Sequence, residues 1–127
     1  MNRSFKDLIV YKKAFSLAMD IFNISKKFPK EEKFSLTDQI RRSSRSVCSS
    51  IAEAYRKRKY KAHFISKTSD ADMENSETQV WLDFSLECRY IIKEKYVDLL
   101  ARSEEVGKLL NHMMENPEKY LRNQDKS

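Results

Sequence analysis

The sequence predicts an all-α fold, an antiparallel up-down-up-down bundle of four helices forming one domain over residues 1–127. Three observations predict it. The chain holds one glycine, Gly107, and two prolines, Pro29 and Pro117, whereas strand-rich folds need many turns, and turns consume Gly, Pro, Asn and Asp. Apolar residues recur every three or four positions through most of the chain, the spacing of one helix face. The length suffices for one core and one domain.

The first helix is expected from about Phe5 to Lys27. Its apolar residues form two stripes, one of Leu8, Tyr11, Phe15, Ala18 and Phe22, the other of Val10, Ala14, Leu17, Ile21 and Ile24. At about 100° per residue the stripe centres lie roughly 120° apart. A helix in an isolated bundle needs one apolar face, so this width implies either a bulky neighbouring helix or a subunit interface. Pro29 ends the helix, because it cannot continue one and pushes Phe28 out of the α region. Ser35 or Thr37 is then placed to cap the second helix, with Ser35 and Asp38 resembling a capping arrangement.

The second helix is expected from about Leu36 to Arg58, with Leu36, Ile40, Ser44, Val47, Ile51 and Ala54 as its core stripe. Five serines between Ser43 and Ser50 read as small residues that allow close helix approach. After a short basic join at Arg58 to Lys61, the third helix is expected to run to about Ile92. Its stripe is Phe64, Thr68, Ala71, Asn75, Thr78, Leu82 and Leu86. Asn75 and Thr78 on such a stripe require hydrogen-bond partners, which neighbouring helices can supply. Val80, Trp81, Phe84 and Ile91 add a second apolar side. The next break is placed at Lys93–Lys95, because an unbroken helix to Asn116 would far exceed the usual globular length. The fourth helix carries Leu99, Val106, Leu110 and Met113, and Asn116-Pro117 ends it. The polar tail to Ser127 is expected to fray.

Several chemistries lack their residues. No apolar run reaches the roughly 7–15 residues of a signal h-region or the about 20 of a membrane span, so a cytoplasmic chain with no membrane association is expected. Cys48 and Cys88 are isolated, and reduced thiols are expected of them. His63 and His112 provide no His/Cys metal spacing, and the Glu-x-x-His pair of carboxylate-bridged metal bundles is missing. A glycine-rich phosphate loop needs more than one glycine. No acyl-transfer constellation accompanies the serines. The expectation is therefore a non-enzymatic protein with no catalytic residues, cofactor or metal.

The net charge is +6, and its placement matters more than its sum. Arg41, Arg42, Arg45, Arg56, Lys57, Arg58, Lys59 and Lys61 stand against the single acid Glu53. Arg41, Arg42, Arg45 and Arg56 project within an arc of about 100°, nearly opposite the Ile40/Val47/Ile51 stripe. Arginine suits phosphate through bidentate hydrogen bonds, and Tyr55 and Tyr60 interleave as candidate stacking rings for unpaired bases. The plainer reading is a solvated face with local pairs such as Asp38–Arg42 and Glu53–Lys57. A second, acidic group on the third helix comprises Asp70, Asp72, Glu74 and Glu77. Asp70, Glu74 and Glu77 share one face and are candidate partners for the arginines, in the same subunit or a neighbouring one.

The run from Phe28 to Ser43, FPKEEKFSLTDQIRRS, followed by Ser50-Ile51-Ala52-Glu53-Ala54-Tyr55, resembles the four-helix bundle proteins encoded in intervening sequences of bacterial 23S ribosomal RNA genes, also labelled S23 ribosomal proteins. The resemblance extends from about Phe5 to Met114. This chain departs from the family pattern at Ser50, where Asn is usual, at Ala54, where Gly is usual, and at Tyr11, where Trp is frequent. The family's Gly-Ser-Leu-x-Glu-Leu-Glu run is matched only loosely, around Ala71 to Glu77. The resemblance implies a homo-oligomeric ring, a pentamer, of bacterial origin. It also implies kinship with the accessory protein of diversity-generating retroelements, which is associated with RNA and a reverse transcriptase. The family supplies no catalytic residues. The combined expectation is a ring-forming accessory protein that binds RNA, or an RNA-associated protein, through the eight basic residues above. The alternative is a protein-interaction scaffold without nucleic-acid affinity.

Overall fold

The structure, a computed structural model, describes residues 4–121. It contains four α-helices: α1 (Ile9–Ser25), α2 (Leu36–Arg56), α3 (Lys61–Glu87) and α4 (Lys93–Glu115). Short 3-10 turns stand at Phe5–Asp7, Lys30–Glu32 and Pro117–Lys119. Each helix packs on its sequence neighbours and α4 closes on α1. Every neighbouring pair is antiparallel, as the contacts show. Ser25 and Phe22 of α1 meet Arg41 and Arg45 of α2. Ser43 and Glu53 of α2 meet Thr78 and Lys67 of α3. Asn75 and Asp83 of α3 meet Ser103 and Tyr96 of α4. Lys13 and Asp20 of α1 meet Glu105 and Arg102 of α4.

The core stripes lie where the periodicity put them, except that Leu86 at the end of the α3 stripe is only partly buried. Ile91, expected on a second side of α3, lies beyond that helix and is buried in the core. Ile40, Ile51 and Ala54 of α2 and Leu99, Val106 and Leu110 of α4 are fully buried. On α1 the stripe through Val10, Ala14, Leu17 and Ile21 forms the core. Phe15 of the other stripe stays half exposed. The core is divided along the bundle axis. One apolar cluster holds Val10, Val47, Ile51, Phe64, Val106 and Leu110, and the other holds Leu17, Ile21, Ile40, Leu82 and Leu99. Between them on three helices runs a buried polar belt of Ser43, Ser44, Asn75, Thr78 and Ser103. Asn75 donates from Nδ2 to the Ser103 carbonyl at 2.9 Å and accepts from the Ser103 hydroxyl at 2.9 Å. The Thr78 and Ser43 hydroxyls share a hydrogen bond of 2.8 Å. The partners that buried Asn75 and Thr78 require are thus supplied across helices.

The helix ends differ from expectation, each for a local reason. The chain from Phe5 begins as a 3-10 turn, capped reciprocally by Ser4 and Asp7, and extended Leu8 separates it from α1. Ser35 does not cap α2. Its hydroxyl donates to Glu32 Oε1 at 2.6 Å, and that same oxygen accepts the Leu36 N–H at 3.3 Å. The cap is therefore Glu32, reaching in from the preceding turn. The second helix stops at Arg56, two residues short of Arg58. The third stops at Glu87, not near Ile92, and Lys93–Lys95 is the first turn of α4 rather than a break. Arg89 takes a left-handed conformation at φ 64°. The Tyr90 N–H reaches the Ser85 carbonyl and the Arg89 N–H reaches the Leu86 carbonyl, which is a Schellman termination. At the other end the expected fraying does not begin at Pro117. Tyr120 stacks on Phe64 with centroids 6.2 Å apart, and Leu121 is buried. The part of the tail beyond Leu121 lies outside the described residues.

Candidate nucleic-acid interface

The outward face of α2 carries the basic residues singled out above, and the structure sorts them by partner. Arg41 and Arg45 turn toward α1, where the Phe22 ring lies 4.7 Å from the Arg41 guanidinium carbon and 5.3 Å from that of Arg45. The Lys26 ammonium lies 4.8 Å from the same ring. The Arg41 Nε–H donates to the Ser25 hydroxyl at 2.7 Å, and that hydroxyl donates to the Phe22 carbonyl at 2.8 Å. Three cations therefore converge on one aromatic ring. No carboxylate pairs with any of them among the described residues. The ring's negative face offsets part of their mutual repulsion.

Arg42 turns the other way. It forms an ion pair with Glu77 and approaches Glu74 Oε2 at 3.6 Å, and its guanidinium also donates to Gln39 Oε1 at 3.3 Å. Two members of the acidic face thus bind an α2 arginine within the same subunit. The third, Asp70, pairs with Lys67 instead, at 3.7 Å. Burial raises the Glu74 carboxyl pKa against the opposing pull of Arg42, and Glu74 Oε1 is buried without a hydrogen-bond partner. The local pairs Asp38–Arg42 and Glu53–Lys57 do not form. Arg42 goes to α3, and Glu53 pairs with Lys67 of α3 at 3.0 Å. Adjacent antiparallel helices offer closer partners than the next turn of the same helix.

Farther along the same arc, Arg56, and next to it Lys57 at the helix end, are exposed and have no carboxylate partner among the described residues. Arg41 and Arg56 are separated by about 22 Å of helix axis at 1.5 Å per residue. Arg58 lies over Tyr55, its guanidinium carbon 3.6 Å from the ring centroid, with Nε donating to the Tyr55 carbonyl at 2.9 Å. That contact occupies a face of the ring expected to receive a base. Lys59 sits 6.0 Å from Tyr60, which stays exposed, and Lys61 is paired with Glu118 at 2.7 Å. The eight basic residues are thus not equivalent. Arg41, Arg45, Arg56 and Lys57 present unpaired charge, whereas Arg42 and Lys61 are neutralised.

Two residues of this surface were not identified from the sequence. Phe22 reads there as part of an apolar stripe, although Lys26 one turn later places a cation beside it. Phe34, in the turn before α2, lines one groove with Lys33, Arg41, Arg42 and Arg45. Elsewhere, Cys48 and Cys88 are free thiols, and burial pushes the Cys48 pKa up to about 11, which makes it a poor nucleophile. Among the described residues there is no His, Cys, Asp and Glu cluster suited to a metal ion, and no helix is long and apolar enough to cross a membrane.

Comparison with known proteins agrees with this bundle. No curated protein matches the chain significantly. A crystal structure of a protein of unknown function from the S23 ribosomal protein family of Bacteroides thetaiotaomicron is similar at 34% identity. The match has a TM-score of 0.78 and covers 87% of this chain and 98% of that one. Residues 6–112 match the family described as 23S rRNA-intervening sequence protein. With its four antiparallel helices and a match over most of its length, this chain belongs to the 23S rRNA-intervening sequence protein family.

Proposed function

We propose that the chain is a non-enzymatic accessory protein that assembles into a homo-oligomeric ring and binds RNA, or an RNA-associated protein, through the basic face of α2. The observation that carries this reading is the convergence of Lys26, Arg41 and Arg45 on Phe22 without a carboxylate among them. Like charges held together repel, and a bound phosphate relieves that repulsion while accepting hydrogen bonds from the guanidinium groups. Arg56 extends the unpaired charge along the same helix face, and Lys57 adds to it at the helix end.

Ring assembly draws support from exposed apolar side chains on two helices, α1 and α3, that are not adjacent around the bundle. Phe15 and Met19 of α1 border a groove floored by Ala18, Cys48 and Ala52. Met73, Val80 and Phe84 stand out from α3. Different surfaces on two sides of one subunit pair head to tail, and head-to-tail contacts close into rings when the rotation permits. A ring repeats the basic face around one axis and makes a modest charge multivalent. The same apolar surfaces favour the second reading, a protein-interaction scaffold without affinity for nucleic acid. A titration of wild-type protein into labelled RNA over a range of salt separates the two. Binding that weakens steeply with salt is expected, and no binding at low salt contradicts the RNA reading.

A further inference from the structure

Phe34 is the most exposed large apolar side chain among the described residues, at 86%. The chain on either side of it is hydrogen-bonded. The Ser35 N–H bonds to the Glu32 carbonyl at 3.0 Å, the Lys33 N–H bonds to the Lys30 carbonyl at 3.0 Å, and the Ser35 hydroxyl is bound to the Glu32 carboxylate. The ring opens on a groove lined by Lys33, Arg41 and Arg45, by Arg42, whose charge is taken up by Glu77 and Glu74, and by one acid, Asp38. The Lys33 ammonium lies 5.3 Å from the ring centroid, and the exposure of the side chain leaves ring surface open. We infer that Phe34 is a stacking platform for an unpaired base, so that the α2 face takes single-stranded rather than duplex RNA. This rests on the RNA reading above.

The chemistry around the ring separates this role from a protein contact. A protein interface is centred on a contiguous apolar patch depleted of charge, as around Phe15 and Met19, where Arg45 at the edge is the one charged lining residue. Phe34 instead stands as a lone aromatic surface among arginines and lysine. A base stacked on a ring, with its flanking phosphates on neighbouring cations, is the usual arrangement for single-strand binding. Duplex RNA keeps its bases inside and offers the ring nothing to stack on. Tyr55, by contrast, is partly buried and has Arg58 over one face.

The test compares a short labelled RNA strand carrying a fluorescent adenine analogue with the same strand annealed to its complement, at low salt. Wild-type protein should bind the single strand more tightly than the duplex and quench the analogue. Phe34→Ala should weaken single-strand binding by about fivefold or more, the lower range for loss of one stacked base. It should abolish the quenching and leave duplex binding unchanged, and Phe34→Trp should restore both. The high exposure of the site removes folding as a confounding factor, and helical circular dichroism checks it. Equal affinity for strand and duplex, with Phe34→Ala altering neither, overturns the stacking role and leaves the RNA reading standing. Wild-type protein that binds neither form overturns both. A fall in assembly mass on Phe34→Ala, with RNA affinity unchanged, assigns the ring to a contact with a second copy and overturns the inference.

Discussion

Arg41 and Arg42 are adjacent in the chain, and the roughly 100° helix rotation between them sends each to a different neighbour. Arg41 reaches Phe22 and Ser25 of α1, while Arg42 reaches Glu77 and Glu74 of α3. The consequences of removing them differ accordingly. Arg42→Gln leaves Glu74 partly buried beside Glu77 with no cation. It should lower the unfolding free energy by about 1 kcal/mol, the upper range for a partly exposed pair, as urea denaturation would show. Arg41→Gln and Arg45→Gln break no ion pair and should change the urea midpoint little. This division was only half legible in the sequence. Helical projection showed that the arginines face away from the core and that Glu74 and Glu77 were available to them. Which arginine turns toward which helix depends on the packing of α1 and α3 against α2, and that is a tertiary fact.

At the scale of the elements, two helix boundaries lead to measurable consequences. Glu32 caps α2 from the preceding turn, and hydrogen bonds from Ser35, Tyr90 and the Leu36 N–H lower its pKa. A carboxyl with a depressed folded-state pKa stabilises the fold above its unfolded pKa, and that stability is lost as pH falls through the folded value. Glu32→Gln should therefore be less stable than wild type at neutral pH, with the difference shrinking as the solution is acidified into and below the carboxylate range. A difference that stayed constant with pH would show that the charge does not matter. At the end of α3, Arg89 pays the steric cost of a left-handed backbone. Arg89→Gly should relieve it and stabilise the protein by about 0.5–1 kcal/mol, the left-handed cost of a non-glycine residue less the entropy glycine adds to the unfolded chain. A lower melting temperature would contradict this. These boundaries also show why the sequence was a partial guide. The interiors of α1, α2 and α4 were legible because periodic burial leaves a periodic record. The end of α3 was not, because its Schellman turn uses arginine where glycine is the usual signal. The α2 cap was misassigned because Ser35 has the right residue type, but its hydroxyl is spent as a donor to Glu32.

For the whole molecule, the polar belt and the exposed apolar faces have separate roles. The belt ties α2 to α3 and α3 to α4 through Ser43–Thr78 and Asn75–Ser103. It fixes the helix register inside one subunit, since a slip would leave buried polar groups unpaired. In the proposed assembly the exposed apolar residues of α1 and α3 make the contacts outside it. Light scattering at micromolar concentration should give a homo-oligomer, a pentamer, and Phe15→Asp or Phe84→Asp should dissociate it without loss of helical signal. A monomer mass for the wild type would contradict the assembly. The central claim is that unpaired charge on α2 is kept for the phosphates of RNA. The measurement that tests it most directly is the salt dependence of single-stranded RNA binding for wild type, for Arg42→Gln and for the double variant Arg41→Gln/Arg45→Gln. Each lost phosphate contact lowers the slope of log affinity against log salt by about 0.7 for single strands. The account predicts a weaker, flatter profile for the double variant and a profile close to wild type for Arg42→Gln. Equal profiles for all three proteins, or no binding by any, would contradict it.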